Sequence, residues 1–212
     1  MKLDRYDYTA AATGLLLAAV TVYGWLNLPD QIATHFNAAG EADGFADKTL
    51  GLLIIPFLSA GLYLLFKWIP RIDPLGENIR DFQDTYQKLV SAVIIFMAYI
   101  QALIVFWNLE LGFSINQALV PAIAGLYYLM GDVIGEARQN WFVGIRTPWT
   151  LSSEEVWGKT HERSGPLFKI AAAVALIALI LPDYFIILTV APVLAVSIYA
   201  VIYSYREYQR QE

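Results

Sequence analysis

The chain has 212 residues, 58% of them hydrophobic and only 16% charged, and its mean hydropathy is +0.50. An ordinary soluble domain is about 45–50% apolar and about 25% charged. A chain of this size cannot hide such an excess of apolar surface in one globule, so a water-soluble domain is all but excluded and a disordered chain is excluded outright. Zero cysteines rule out a disulfide scaffold, a thiolate metal site and a cysteine nucleophile. Two histidines leave little for a metal centre, and a net charge of −5 argues against direct nucleic-acid binding.

About 20 helical residues cross the hydrocarbon of a bilayer. Six apolar runs approach that length, at 8–28, 49–67, 89–108, 116–133, 166–181 and 184–205. The fifth is the shortest, because its uncharged part starts only after Lys169, which can snorkel to the interface. None alternates as a barrel strand does. The fold class predicted is an all-α polytopic bundle, a single membrane domain over 1–212 with six transmembrane helices.

Basic residues orient such a bundle. Lys2 and Arg5 precede the first span. Lys67, Arg71, Arg80 and Lys88 follow the second, and Arg138, Arg146, Lys159, Arg163 and Lys169 follow the fourth. Arg206 and Arg210 end the chain, whereas the alternate connections hold only Lys48. This pattern predicts a multi-pass cell-membrane protein with both termini cytosolic. Three spans carry a proline followed by a tyrosine, at Pro56/Tyr63, Pro121/Tyr127 and Pro192/Tyr199. That is either a trace of repeated hairpins or the ordinary abundance of these residues in membrane helices.

Long loops on a helical scaffold usually carry function. The first, outer loop covers 29–48. Asp30 after Pro29 is expected to cap a short helix through His35, while Asn37, Gly40, Asp43 and Gly44 favour turns. His35, Glu41, Asp43 and Asp47 are metal-binding residue types without ligand spacing, so a folded cap without metal is expected. Pro29, His35, Phe36, Asn37, Gly40 and Asp43 are its candidate contact residues.

The inner loop covers 137–165. Ser152 and Glu155 form a capping-box pattern that would start a helix, on which Trp157 and His161 share a face. Its aromatic and basic residues suit either an interfacial helix or a docking surface. His161 beside Glu154, Glu155 or Glu162 is a conceivable acid–base pair, yet no serine elbow, zinc-protease pattern or phosphate loop accompanies it. No enzyme and no cofactor is therefore expected, and His161 is expected to bond a neighbouring backbone group. Asp132, followed by Glu136, is the candidate coupling group of a transporter, with Arg138 or Arg146 as its partner.

The inner stretch Asn140-Trp141-Phe142-Val143-Gly144-Ile145-Arg146-Thr147-Pro148-Trp149-Thr150-Leu151, followed by Glu155-Val156-Trp157 and Lys159-Thr160-His161, resembles the signature of the SdpI family. These are membrane immunity proteins of the bacterial sporulation-delaying toxin system and their relatives. The outer loop, with Leu28-Pro29-Asp30, His35-Phe36-Asn37, Gly40-Glu41 and Asp43-Gly44, resembles the amino-terminal domain of unknown function of the same proteins. Ala33 stands where relatives often have proline, and Asp132 and Glu136 make the end of span four more acidic than the family pattern. The resemblance implies six helices, protection against a secreted peptide toxin, and sequestration of a cytosolic transcriptional repressor at the membrane. It makes Asn140, Gly144, Arg146, Thr147, Pro148, Trp149, Trp157 and His161 the candidate ligand or partner site.

Overall fold

The computed structural model describes residues 5–211; Lys2, used above for orientation, lies outside them. In chain order the elements are α1 (Arg5–Asn27), β1 (Gln31–Phe36), β2 (Ala42–Asp47), α2 (Lys48–Ile72), α3 (Gly76–Asp81), α4 (Gln83–Asn108), α5 (Ile115–Glu136), α6 (Pro148–Ser152), α7 (Glu154–Leu176) and α8 (Phe185–Gln209). Apart from one β-hairpin the fold is helical. Five helices are long and apolar enough to cross a membrane: Tyr6–Asn27, Lys48–Ile72, Gln83–Asn108, Ile115–Glu136 and Pro182–Gln209. The expected span 166–181 is not among them. Its helix, α7, already starts at Glu154 and carries Glu155, Lys159, Glu162 and Arg163 in its first half, and a 3-10 turn at Ile177–Leu179 ends it.

Two local expectations are also corrected. Residues 30–35 do not form a helix. Asn37 instead closes a hairpin, its Oδ1 accepting the N–H groups of Ala39 at 2.9 Å and Glu41 at 3.0 Å, while Gly40 takes a φ of +81° that favours glycine. Ser152 ends α6 rather than capping α7; Ser153 is the cap, accepting the Val156 N–H at 3.3 Å.

The chain separates into two compact units. One takes the described residues up to Leu65 together with Val90–Leu119. Its core holds Leu17, Ile55, Ala98 and Ile104 in one cluster and Leu28, Ile32, Leu52 and Val105 in another. Gln101 is fully buried between them and donates from Nε2 to the Leu52 carbonyl at 3.1 Å and to Thr21 Oγ1 at 3.2 Å. Asn108 fastens the hairpin to α4. It donates to the Ala33 carbonyl at 3.0 Å and accepts the Ala33 N–H at 2.8 Å, and Phe36 meets the edge of Trp107 with ring centroids 4.8 Å apart.

The second unit takes Phe66–Leu89 and everything from Val120 onward. Its core cluster is Ile134, Phe168, Ala171 and Val196. The start of α7 lies beside the end of α8, linked by Ser153 to Gln211 at 2.9 Å and Lys159 to Glu207 at 3.4 Å. Asp132 pairs with Lys169 at 2.6 Å, not with Arg138 or Arg146, because α5 and α7 cross closely here. A Cβ on Gly131 would stand 2.8 Å from the Gly165 carbonyl, and one on Gly165 equally close to the Gly131 carbonyl. Small residues let membrane helices approach in this way. The three span tyrosines differ in partner: Tyr63 donates to Asp7, Tyr127 to the Thr189 carbonyl, and Tyr199 stacks on Tyr203.

The crossing gives a paired prediction. Gly131→Ala forces α5 and α7 apart and costs about 1–3 kcal/mol, the usual range for overpacking. Gly125→Ala, on the same helix with nothing within 4 Å of the added carbon, leaves the thermal unfolding midpoint in detergent unchanged or slightly raised.

Candidate functional site

The segment 137–165 lies wholly within the second unit. Its irregular backbone must find hydrogen-bond partners without a ladder, and buried side chains supply them. Asn140 is fully buried. Its Oδ1 accepts the N–H groups of Phe142 at 2.9 Å and Val143 at 2.6 Å, and its Nδ2 donates to the carbonyls of Arg138 and Val143, both at 2.8 Å. That exhausts the bonding capacity of the amide. Gln139 donates to the carbonyls of Thr150 and Leu151 at 2.8 and 3.0 Å.

Gly144 follows at φ +122°; a Cβ there would lie 2.6 Å from His161 Nε2 and 3.0 Å from the Trp157 ring. The next amide, of Ile145, donates to His161 Nε2 at 3.0 Å, so the imidazole proton sits on Nδ1, which donates to the Trp157 carbonyl at 2.8 Å. The two rings stack with centroids 4.0 Å apart, and Trp157 Nε1 donates to the Ala137 carbonyl at 2.8 Å. Burial pushes the His161 pKa down to about 4, which keeps the ring neutral at neutral pH. Both ring nitrogens are spent on backbone, so the conceivable pairs with Glu154, Glu155 and Glu162 are not formed; Glu155 pairs with Lys159 at 2.7 Å.

Thr147 caps α6 by accepting the Thr150 N–H, while its own N–H donates to Thr150 Oγ1 at 2.9 Å. This is a capping box built from two threonines, with Pro148 at the first helical position. The segment is clamped from the 70–88 connection as well. Asp73 accepts the Trp141 N–H at 2.8 Å and Asn78 donates to the Gln139 carbonyl at 2.7 Å.

The expected site residues therefore separate by depth. Asn140, Thr147, Trp157 and His161 are buried and bonded to their own loop. Arg146 and Pro148 are exposed, as are their neighbours Trp141 and Phe142. Arg146 donates to the Trp141 carbonyl at 2.9 Å, and half-buried Trp149 rests against Tyr205 at 5.0 Å. Sequence reasoning passed over Asp73, Asn78, Gln139 and Asn108, whose only signal was a lone polar residue near a span end.

In the hairpin, exposed His35 bonds Asp43 at 2.5 Å. Glu41 accepts from Asn37 at 3.0 Å and Asp47 accepts the Thr49 N–H at 2.9 Å, so these residues do not converge. Pro29 is exposed and Asn37 and Gly40 form the turn. Among the described residues no three His, Asp or Glu side chains gather as a metal site.

The SdpI/YfhL protein family model matches residues 136–204, the 137–165 segment with the rest of α7 and most of α8. A domain of unknown function (DUF1648) matches residues 12–60, which span α1, the hairpin and the start of α2. The chain belongs to this family. It is 24% identical to the immunity protein SdpI of Bacillus subtilis (strain 168) over 202 residues, 92% of this chain and 90% of the relative. No solved structure matches it. The two matched regions are the two loop-bearing parts described above.

The depth of His161 sets a pH dependence. The unfolded chain takes up this proton near pH 6.5, the native ring only near 4. Acidification between these values favours unfolding, by at most about 3 kcal/mol. His161→Gln lowers stability at neutral pH, and the gap to the wild type closes as pH falls through this window. Denaturation midpoints followed by tryptophan fluorescence check it; a gap of constant size contradicts it.

Proposed function

We propose that this protein is an immunity and sensor protein of the SdpI kind, which protects the cell from a secreted peptide toxin and holds a cytosolic transcriptional repressor at the membrane. The observation that carries the reading is similarity to an immunity protein along 92% of the chain. The finer topology follows the distribution of lysine and arginine, with six crossings and both termini in the cytosol. Supporting a sixth crossing, α7 runs alongside the membrane-spanning α8 from its first turn to the connecting turn, and its Lys169 is neutralised by Asp132. In this topology the hairpin faces outward and the 137–165 segment inward.

The bundle would engage an amphipathic toxin from outside and keep it from forming pores. Inside, the exposed side of the motif, with Arg146, Trp141 and Phe142, would meet the partner, while Asn140, Gly144, Thr147, Trp157 and His161 hold that surface in shape. Asp132 as a transporter coupling group is disfavoured by its ion pair with Lys169.

Expression in a toxin-sensitive host tests the reading. Cells carrying the protein in their membrane survive a toxin dose that kills the parent strain. Unchanged killing, with the protein verified in the membrane fraction, overturns it.

A further inference from the structure

β1 and β2 form a two-stranded sheet, so each strand has one edge turned away from the other. The edge of β1 is closed at its centre, where Asn108 bonds both the N–H and the carbonyl of Ala33. The edge of β2 is open. Register pairs Ala33 with Phe45 and Gln31 with Asp47. In an antiparallel ladder alternate residues turn their backbone groups toward the partner strand. The next pair along, Lys48 and Asp30, is bonded at 2.8 Å, and Ala33 faces outward to Asn108. Phe45 thus directs its backbone N–H and carbonyl away from β1, and Asp47 its N–H, whereas the Asp47 carbonyl closes the first turn of α2, which starts at Lys48. Among the described residues these three outward groups have no other partner.

Exposed edges are commonly blunted by lysine, proline or a bulge; β2, Ala-Asp-Gly-Phe-Ala-Asp, has no lysine or proline, and its register irregularity falls at Asp43, which leaves the Phe45–Asp47 half of the edge regular. Its side chains alternate in burial, with Asp43, Phe45 and Asp47 on the exposed face and Phe45 64% exposed. The whole connection, 29–48, carries four carboxylates against one lysine.

We propose that the open edge of β2 accepts a third, extended strand from a cationic peptide. Added strands are held by main-chain hydrogen bonds and selected through alternate side chains. Residues two apart share a face, so the incoming segment reads basic-x-apolar-x-basic, its outer pair meeting Asp43 and Asp47 and its apolar residue resting on Phe45. This names the chemistry of the peptide ligand and rests on the reading that the hairpin faces a peptide outside the cell.

The test uses the full chain in phosphatidylcholine nanodiscs and a short fluorescent peptide, Thr-Lys-Thr-Val-Thr-Lys-Thr. Fluorescence anisotropy shows saturable binding. Replacing both lysines by glutamate, or N-methylating the peptide amides that would face β2, weakens it roughly tenfold or more. Phe45→Pro, which removes an outward N–H and no ladder bond, does the same, whereas Phe45→Val weakens it less. If the proline variant unfolds, the N-methylated peptide against the unaltered protein decides. No saturable binding, or binding indifferent to N-methylation, overturns the proposal. Toxin survival is scored separately: a chain that protects without binding the probe sinks the strand edge alone, and one that binds the probe without protecting sinks the immunity reading alone.

Discussion

A backbone carbonyl inside a bilayer has no water to bond, so every one that a helix leaves free must be met by another part of the protein. Prolines within apolar helices free such carbonyls, because proline lacks an N–H and its ring opens the preceding turn. Pro56 takes the usual donor from the Leu52 carbonyl, and Gln101 of α4 donates to it at 3.1 Å. In the turn before Pro121 the Ala118 carbonyl accepts from Tyr99 at 2.7 Å. In the turn before Pro192 the Thr189 carbonyl accepts from Tyr127 at 2.9 Å. Only Gln101 meets the carbonyl that its proline deprives of a donor; the Ala118 and Thr189 carbonyls lie three residues before theirs, where the tyrosines add a second bond in the same turn and tie neighbouring helices together.

The same requirement shapes the 137–165 segment. Its chain between α5 and α6 is irregular, and Asn140, Asp73 and His161 each answer backbone groups there, while Gln139 answers the carbonyls at the end of α6. The consequence is that the most distinctive residues of the motif look inward. Trp157 and His161 are each 2% exposed, stacked on one another beneath Gly144, where any side chain would collide with them. What stays exposed is the rim that this framework holds in place, Arg146, Trp141 and Phe142 among it.

Much of this was legible in the sequence, because lipid imposes strong rules on composition. The apolar runs located five spans, and the i, i+4 spacing of Trp157 and His161 placed them on one face. What escaped were features decided by tertiary contact. Residues 166–181 read as a separate span because hydropathy cannot register that the polar Glu154–Arg163 stretch continues the same helix. Asp30 read as a helix cap because nothing local announces that Asn108, far along the chain, will pair with Ala33 as a strand would. Ser152 matched a capping pattern that Ser153 and the two threonines of α6 fulfil instead. Asp132 was assigned an arginine because the close crossing at Gly131 and Gly165, which brings Lys169 within 2.6 Å, depends on the absence of side chains.

The claim that Gln101 answers the carbonyl that Pro56 leaves free is tested most directly by a double-mutant cycle on the two residues. Gln101→Leu leaves the Leu52 carbonyl unmet and is predicted to cost about 1–2 kcal/mol in reversible unfolding from detergent. Pro56→Ala restores the missing N–H within α2, and in that background the same Gln101→Leu change costs markedly less, since the carbonyl is then bonded by its own helix. The bond from Gln101 to Thr21 is lost in both backgrounds and cancels from the comparison. An equal loss with and without Pro56 would contradict the account.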